Sequence, residues 1–118
     1  MAPRMTLEGI YTPVVTPLHD DFSVDYDALA DVVDHLVASG VHGLISGGST
    51  GENYTQTVEE RLEIARFTQD RLKGRLPLFV GTGMMRTEDS LAMATGAREM
   101  GADGILHGTP PYSVPTEH

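Results

Sequence analysis

The sequence predicts a parallel α/β protein amounting to about the first half of a (β/α)₈ barrel. Three observations carry this: apolar runs alternate with helix-period segments, the connections between them are short, and one ten-residue pattern returns two βα units later. The first run, residues 10–15 (IYTPVV), is rich in strand-forming residues, and Thr16-Pro17 is expected to end it because proline cannot continue a ladder. From Asp25, a plausible N-cap, Leu29, Val32, Val33, Leu36 and Val37 recur at helical spacing, and Gly40 stands where a left-handed C-terminal residue is wanted.

Residues 41–46 (VHGLIS) follow as a mostly apolar run without strict alternation, as expected of a parallel strand covered on both faces. Thr57 and Glu60 then match a capping box, in which hydroxyl and carboxylate satisfy each other's orphan backbone donors. A second helix is expected from there to about Lys73, with Gly74 just beyond it. A third strand begins at residues 77–80 (PLFV) and gives way to Gly81-Thr82-Gly83. Thr87, Glu88 and Asp89 open a third helix with acidic residues at its positive end, and Gly101 stops it. Residues 103–107 (DGILH) make a fourth strand, after which GTPPYSVPTEH holds too many prolines for helix or central strand.

The repeat links SGVHGLISGG, from Ser39, with MGADGILHGT, from Met100. Its interval corresponds to two βα units of about 30 residues each, which suits a barrel better than a doubly wound sheet. A whole barrel takes about 250 residues. The 118 residues are therefore expected to be one unit, the N-terminal half of such a barrel, with the fourth strand's outer edge unpaired unless another chain or a second half covers it.

Composition narrows the function. Seventeen acidic against eight basic residues give a formal charge of −9, which repels phosphate backbones and anionic lipid and argues against nucleic acid or membrane partners. With no cysteine there is neither a disulfide framework nor a thiolate metal site, and the N-terminus lacks the apolar stretch of a secretory signal. A cytoplasmic location is the expectation. His19, His35, His42, His107 and His118 show no metal-ligand spacing, so neither metal nor cofactor is expected, and only His107, at a strand end, invites attention.

In a parallel α/β fold, ligands lie at the C-terminal ends of the strands. Four loops lie there: Thr16-Pro17, residues 47–54, 81–85 and 108–115. The second, GGSTGE, lacks the lysine of a phosphate-cradling loop and does not fit the dinucleotide fingerprint. What remains is a tight loop whose glycines let amides converge beside the hydroxyls of Ser49 and Thr50, a geometry suited to a carboxylate, although an ordinary structural turn is as good a reading of those residues. Tyr112, flanked by prolines, reads as a packing residue or a held phenol able to relay protons. Glu52 reads as serving the nearby helix start rather than as a base. Lys73 is the only lysine, and it falls at a helix C-terminus on the face opposite the loops, where a solvated cation favours the dipole.

Taken together, VTPL from Val15, GGSTGE from Gly47, VGTG from Val80 and TPPYSVPT from Thr109 resemble the dihydrodipicolinate synthase and N-acetylneuraminate lyase family over nearly the whole chain. The resemblance implies a (β/α)₈ barrel, dimeric or tetrameric, that condenses pyruvate with an aldehyde, or cleaves or dehydrates a 2-keto acid, through a Schiff base on a lysine. It implies that Ser49 and Thr50, with backbone amides including that of Gly48, hold the pyruvate carboxylate. It also implies that Ser49 joins a proton relay with tyrosines, and that Tyr112 matches the tyrosine reaching into a neighbouring subunit's site. The family's frequent Thr-Thr is Ser49-Thr50 here, as on its lyase and aldolase side, and its Tyr-Tyr pair is Pro111-Tyr112. Its Schiff-base lysine, second active-site tyrosine and aldehyde-selecting residues correspond to positions beyond His118. The 118 residues alone are thus expected to be inactive, and a non-catalytic half-barrel that self-associates or pairs with another chain is the alternative.

Overall fold

A computed structural model of the chain describes residues 5–111 and Thr116. Four strands, β1 (Tyr11–Pro13), β2 (Gly43–Ser46), β3 (Leu78–Gly81) and β4 (Gly104–Leu106), alternate with helices α1 (Tyr26–Ala38), α2 (Val58–Leu72) and α3 (Thr87–Glu99). All strand pairs are parallel and the sheet order is β1-β2-β3-β4. A doubly wound sheet would reverse direction from its first strand. Sequential order is what a barrel wall requires, and the alternation read from the sequence is the one observed.

Each helix begins and ends for a local reason. The Asp25 carboxylate accepts the Ala28 amide at 2.9 Å to start α1, and Gly40, at φ +80°, lets the chain turn away after it. Thr57 and Glu60 form the expected capping box on α2, which ends in Lys73 and Gly74, both at positive φ. Arg86 at the N-cap of α3 provides no side-chain cap, so Glu88 and Asp89 in the first turn are what favours that terminus.

The core lies between the helices and one sheet face, where Leu29, Val33, Leu44, Ile64, Leu72, Leu78, Val80 and Met93 are buried. Full burial of each such side chain stabilises by roughly 1.5–3 kcal/mol. Gly96 permits the close approach of α3 to α2, since a Cβ there would lie 2.5 Å from a methyl of Leu62.

The sheet's other face would be a barrel's interior. There Tyr11 and Phe79 meet edge to face with ring centroids 5.4 Å apart. Each rests on a glycine of the following strand: a Cβ on Gly43 would fall 2.3 Å from the Tyr11 ring, and one on Gly104 would fall 2.3 Å from the Phe79 ring. Large residues from odd strands over glycines from even ones form the alternating layer of a barrel interior.

The sequence repeat has a structural counterpart. His42 and Asp103 occupy equivalent positions, and each accepts a backbone amide from the start of the preceding strand: Ile10 to His42 Nδ1 at 3.0 Å, Leu78 to Asp103 Oδ2 at 2.9 Å. Gly40 and Gly101 both sit at positive φ ahead of them.

The strands are shorter than the runs that announce them. Ile10 and Val14 still bond to β2 through His42 and Ile45, yet β1 itself ends at Pro13, before the expected Thr16-Pro17. Pro13 is tolerated because β1 is an edge strand in this sheet. Between Pro17 and Asp25 the chain makes a small excursion closed by an antiparallel bridge of Leu18 with Val24, for which the sequence reading made no provision. On β4, Ile105 and Leu106 are 46% and 51% exposed, so among the described residues nothing covers that edge. No helix of the described residues is long and apolar enough to cross a membrane.

Candidate functional site

The loop after β2 is built from two short 3₁₀ turns, Ser49–Gly51 and Asn53–Thr55. Gly47 starts it at φ +75°, a left-handed conformation that glycine adopts without strain. Gly51 is buried against the loop after β1: a Cβ there would lie 2.8 Å from the Val14 carbonyl oxygen. The Thr16 hydroxyl donates to the Gly51 carbonyl at 2.8 Å, and Gln56 Nε2 donates to the same oxygen at 2.9 Å. Asn53 Nδ2 donates to the Gly47 carbonyl at 2.9 Å. These bonds fix both ends of the loop.

Between the fixed ends, Ser49 and Thr50 are exposed. Neither hydroxyl bonds to another described residue, and their amides open a 3₁₀ turn with no carbonyl partner in the same set. Two hydroxyls and two amides are therefore held together and left unspent, beside Gly48. Such a group suits an anion with two oxygens.

Glu52 differs from expectation. It stands at φ +58° between the two turns, and its backbone closes them, donating to Ser49 and accepting from Thr55. The carboxylate caps nothing, because α2 starts further on and Thr57 already provides its cap.

The loop after β3 is joined to this one at backbone level. A Cβ on Gly81 would fall 2.3 Å from the Gly47 carbonyl oxygen, so only glycine allows the two loops to approach. Buried Thr82 shares a 3.0 Å hydrogen bond with His107 Nδ1, tying the ends of β3 and β4 together. His107 is exposed at that strand end and accounted for by this contact. Tyr112 lies outside the described residues.

Sequence reasoning missed Arg61. It is 2% exposed, on the buried stripe of α2 with Ile64, Ala65, Thr68 and Leu72. Its Nη2 donates to the carbonyls of Gly47 at 3.1 Å and Gly81 at 2.7 Å, and its Nη1 donates to that of Gly83 at 3.0 Å and to the Met84 sulfur. Burial lowers its pKa from the ordinary arginine range, and no carboxylate pairs with it among the described residues. The available signal was a charged residue at helical spacing on an otherwise apolar stripe.

Lys73 lies at the other end of α2, exposed, among Arg71, Arg75 and Asp34. No group of three or more His, Asp or Glu side chains among the described residues could hold a metal ion.

Known proteins share the sequence pattern and the fold of this chain. The model of the dihydrodipicolinate synthetase family matches residues 6–118. The 4-hydroxy-tetrahydrodipicolinate synthase of Magnetococcus marinus is 40% identical over 110 residues, covering 93% of this chain and 37% of that enzyme. The crystal structure of dihydrodipicolinate synthase from Aquifex aeolicus superposes with a TM-score of 0.88 at 34% identity, over 93% of this chain and 37% of the other. YagE, a prophage protein of the dihydrodipicolinic acid synthase family from E. coli K12 solved with pyruvate, gives a TM-score of 0.88 at 36% identity, over 92% of this chain and 36% of its own. The chain thus spans less than two-fifths of the length of these relatives, and its four-strand sheet matches the first half of their barrels. By sequence and by fold, the chain belongs to the dihydrodipicolinate synthetase family.

Proposed function

We propose that these residues form the carboxylate-binding half of a Schiff-base lyase or synthase that acts on pyruvate or another 2-keto acid, with an aldehyde as the second substrate or product. The observation that carries this reading is the loop of residues 47–56. Its two ends are tied down, and Ser49 and Thr50 hold free hydroxyls and amides at the C-terminal end of a barrel strand. The pyruvate bound to YagE supports the same substrate class.

In this reading the carboxylate oxygens accept hydrogen bonds from Ser49 and Thr50, which fixes the keto carbon in position. A lysine on a later strand attacks that carbon, and water leaves as the imine forms. Both steps move protons, which Ser49 relays with Tyr112 from a neighbouring subunit. Lys73 takes no part, because the direction of α2 places it on the opposite face. The active protein is a homo-oligomer of the cytoplasm.

Ser49→Ala tests this directly in the protein carrying the complete barrel. The expected result is a KM for pyruvate raised about tenfold or more, equivalent to one lost charge-assisted hydrogen bond. Unchanged kinetics would remove Ser49 from the site. A second reading, a non-catalytic half-barrel that associates with another chain, is favoured by one observation, the exposed Ile105 and Leu106 on β4.

A further inference from the structure

We propose that Arg61 is the positioning residue of the keto-acid site, acting from below as a clamp on two loops and as the positive charge beneath the carboxylate. The inference rests on the function proposed above for the carboxylate loop, but the clamp itself stands on geometry alone.

All three loop carbonyls that Arg61 reaches belong to glycines: Gly47 after β2, and Gly81 and Gly83 at and after the end of β3. Gly81 and Gly47 approach so closely that a Cβ on Gly81 would fall 2.3 Å from the Gly47 carbonyl oxygen. Carbonyls brought together in this way repel one another unless a donor lies between them. The planar guanidinium provides several parallel N–H groups in a fixed fork, so one side chain serves both loops. A lysine ammonium at the same place has three donors on a flexible stem and cannot span the same set with the same geometry.

The charge is the second part. A buried cation is normally paired with a carboxylate. Arg61 is stabilised instead by carbonyl dipoles, and its buried Nε has no partner among the described residues. Its positive charge is therefore not cancelled locally, in a chain whose formal charge is −9. Gly47, which it holds, is two residues from Ser49. An anion on Ser49 and Thr50 would be attracted by that charge, whose guanidinium lies 3.1 Å from the Gly47 carbonyl. Arg61 does not need to touch the substrate for this.

The test uses Arg61→Met and Arg61→Lys in the protein carrying the complete barrel, with three measurements. Amide hydrogen exchange of residues 47–56 and 81–86 reads the clamp without any ligand. The KM and kcat for pyruvate read the effect on the site. Borohydride trapping of the unmutated protein with pyruvate reads whether the proposed chemistry occurs. Arg61→Met should raise exchange in both loops by tenfold or more while the helices keep their protection, and raise KM about tenfold or more with kcat changed less than threefold. Arg61→Lys should keep the charge but not the fork, recovering much of the KM while both loops still exchange faster than in the unmutated protein. A folded Arg61→Met with unchanged loop exchange would overturn the clamp, and unchanged KM would overturn the electrostatic role. If Arg61→Met does not fold, Arg61→Lys decides alone: loop exchange equal to that of the unmutated protein would sink the proposal. If the unmutated protein is not trapped with pyruvate yet the Arg61→Met loops loosen, the functional reading and the electrostatic role fail and the clamp stands.

Discussion

Gly81 shows how one missing carbon fixes the geometry of two loops. A Cβ at this position would meet the Gly47 carbonyl oxygen at 2.3 Å, and the obstacle is backbone that no rotamer change can move aside. Gly81→Ala should destabilise the fold by about 1–3 kcal/mol, the usual cost of overpacking, as read from urea denaturation. Asp34 is a residue of a different kind. Hydrogen bonds from Arg71 and then Arg75 hold its carboxyl below the ordinary value of 3.8. A depressed folded pKa contributes stability that is present above the unfolded value and lost as pH falls through the folded one. Stability should therefore decline more steeply below about pH 4 in the unmutated chain than in Asp34→Asn, which acid titration of thermal melts would reveal. At this scale the sequence was legible where chemistry is local. The Thr57–Glu60 reciprocal cap and the positive φ at Gly40 were read correctly because each depends on neighbours within a few positions. Arg61 was not, because its partners lie 14 to 23 residues away and its place on the apolar stripe of α2 was the one local signal that set it apart from a solvated arginine.

At the scale of elements, type and order were legible and boundaries were not. Hydrophobic period separated strands from helices, whereas the ladder's ends depend on which flanking amides find a partner across the sheet. Ile10 and Val14 pair just outside β1, so the apolar run is longer than the strand. The excursion with the Leu18–Val24 bridge left no period to read, being too short to repeat. The repeat, in contrast, was legible and has a physical basis: His42 and Asp103 each anchor the start of the preceding strand. Asp103→Ala should cost about 1 kcal/mol, somewhat less than a buried charge-assisted bond, because the side chain is exposed. Thr57→Ala should cost about 1 kcal/mol through loss of the capping box. Thermal melts check both, and an effect at Asp103 far larger than at Thr57 would show that the strand anchor matters beyond its single bond.

The whole molecule is a sheet with one finished face and one unfinished one. Helices cover the face carrying Leu44 and Val80, while Tyr11 and Phe79 form half of a barrel's interior layer. Among the described residues, β4 is an edge strand with one side unpaired, beside the exposed Ile105 and Leu106. Residues 1–118 expressed alone should therefore associate in sedimentation experiments, and Leu106→Lys should reduce that association by placing a charge on the edge. A well-folded monomer at high concentration would show that the edge needs no cover. Half-barrel architecture was legible because the βα alternation, the repeat and the length of a full barrel are all readable without contacts. The loop of residues 47–56 was legible as a tight turn after a strand, its composition being that of any such turn, and the carboxylate-binding role proposed for it came from the resemblance to a family.

The most direct measurement is borohydride reduction of the protein carrying the complete barrel in the presence of pyruvate, followed by peptide mapping. The expected result is a single pyruvyl adduct on a lysine outside residues 1–118, weakened in Ser49→Ala at low pyruvate. An adduct on Lys73, or none at all in an active preparation, would contradict the assignment of this chain as the carboxylate-binding half of a Schiff-base site.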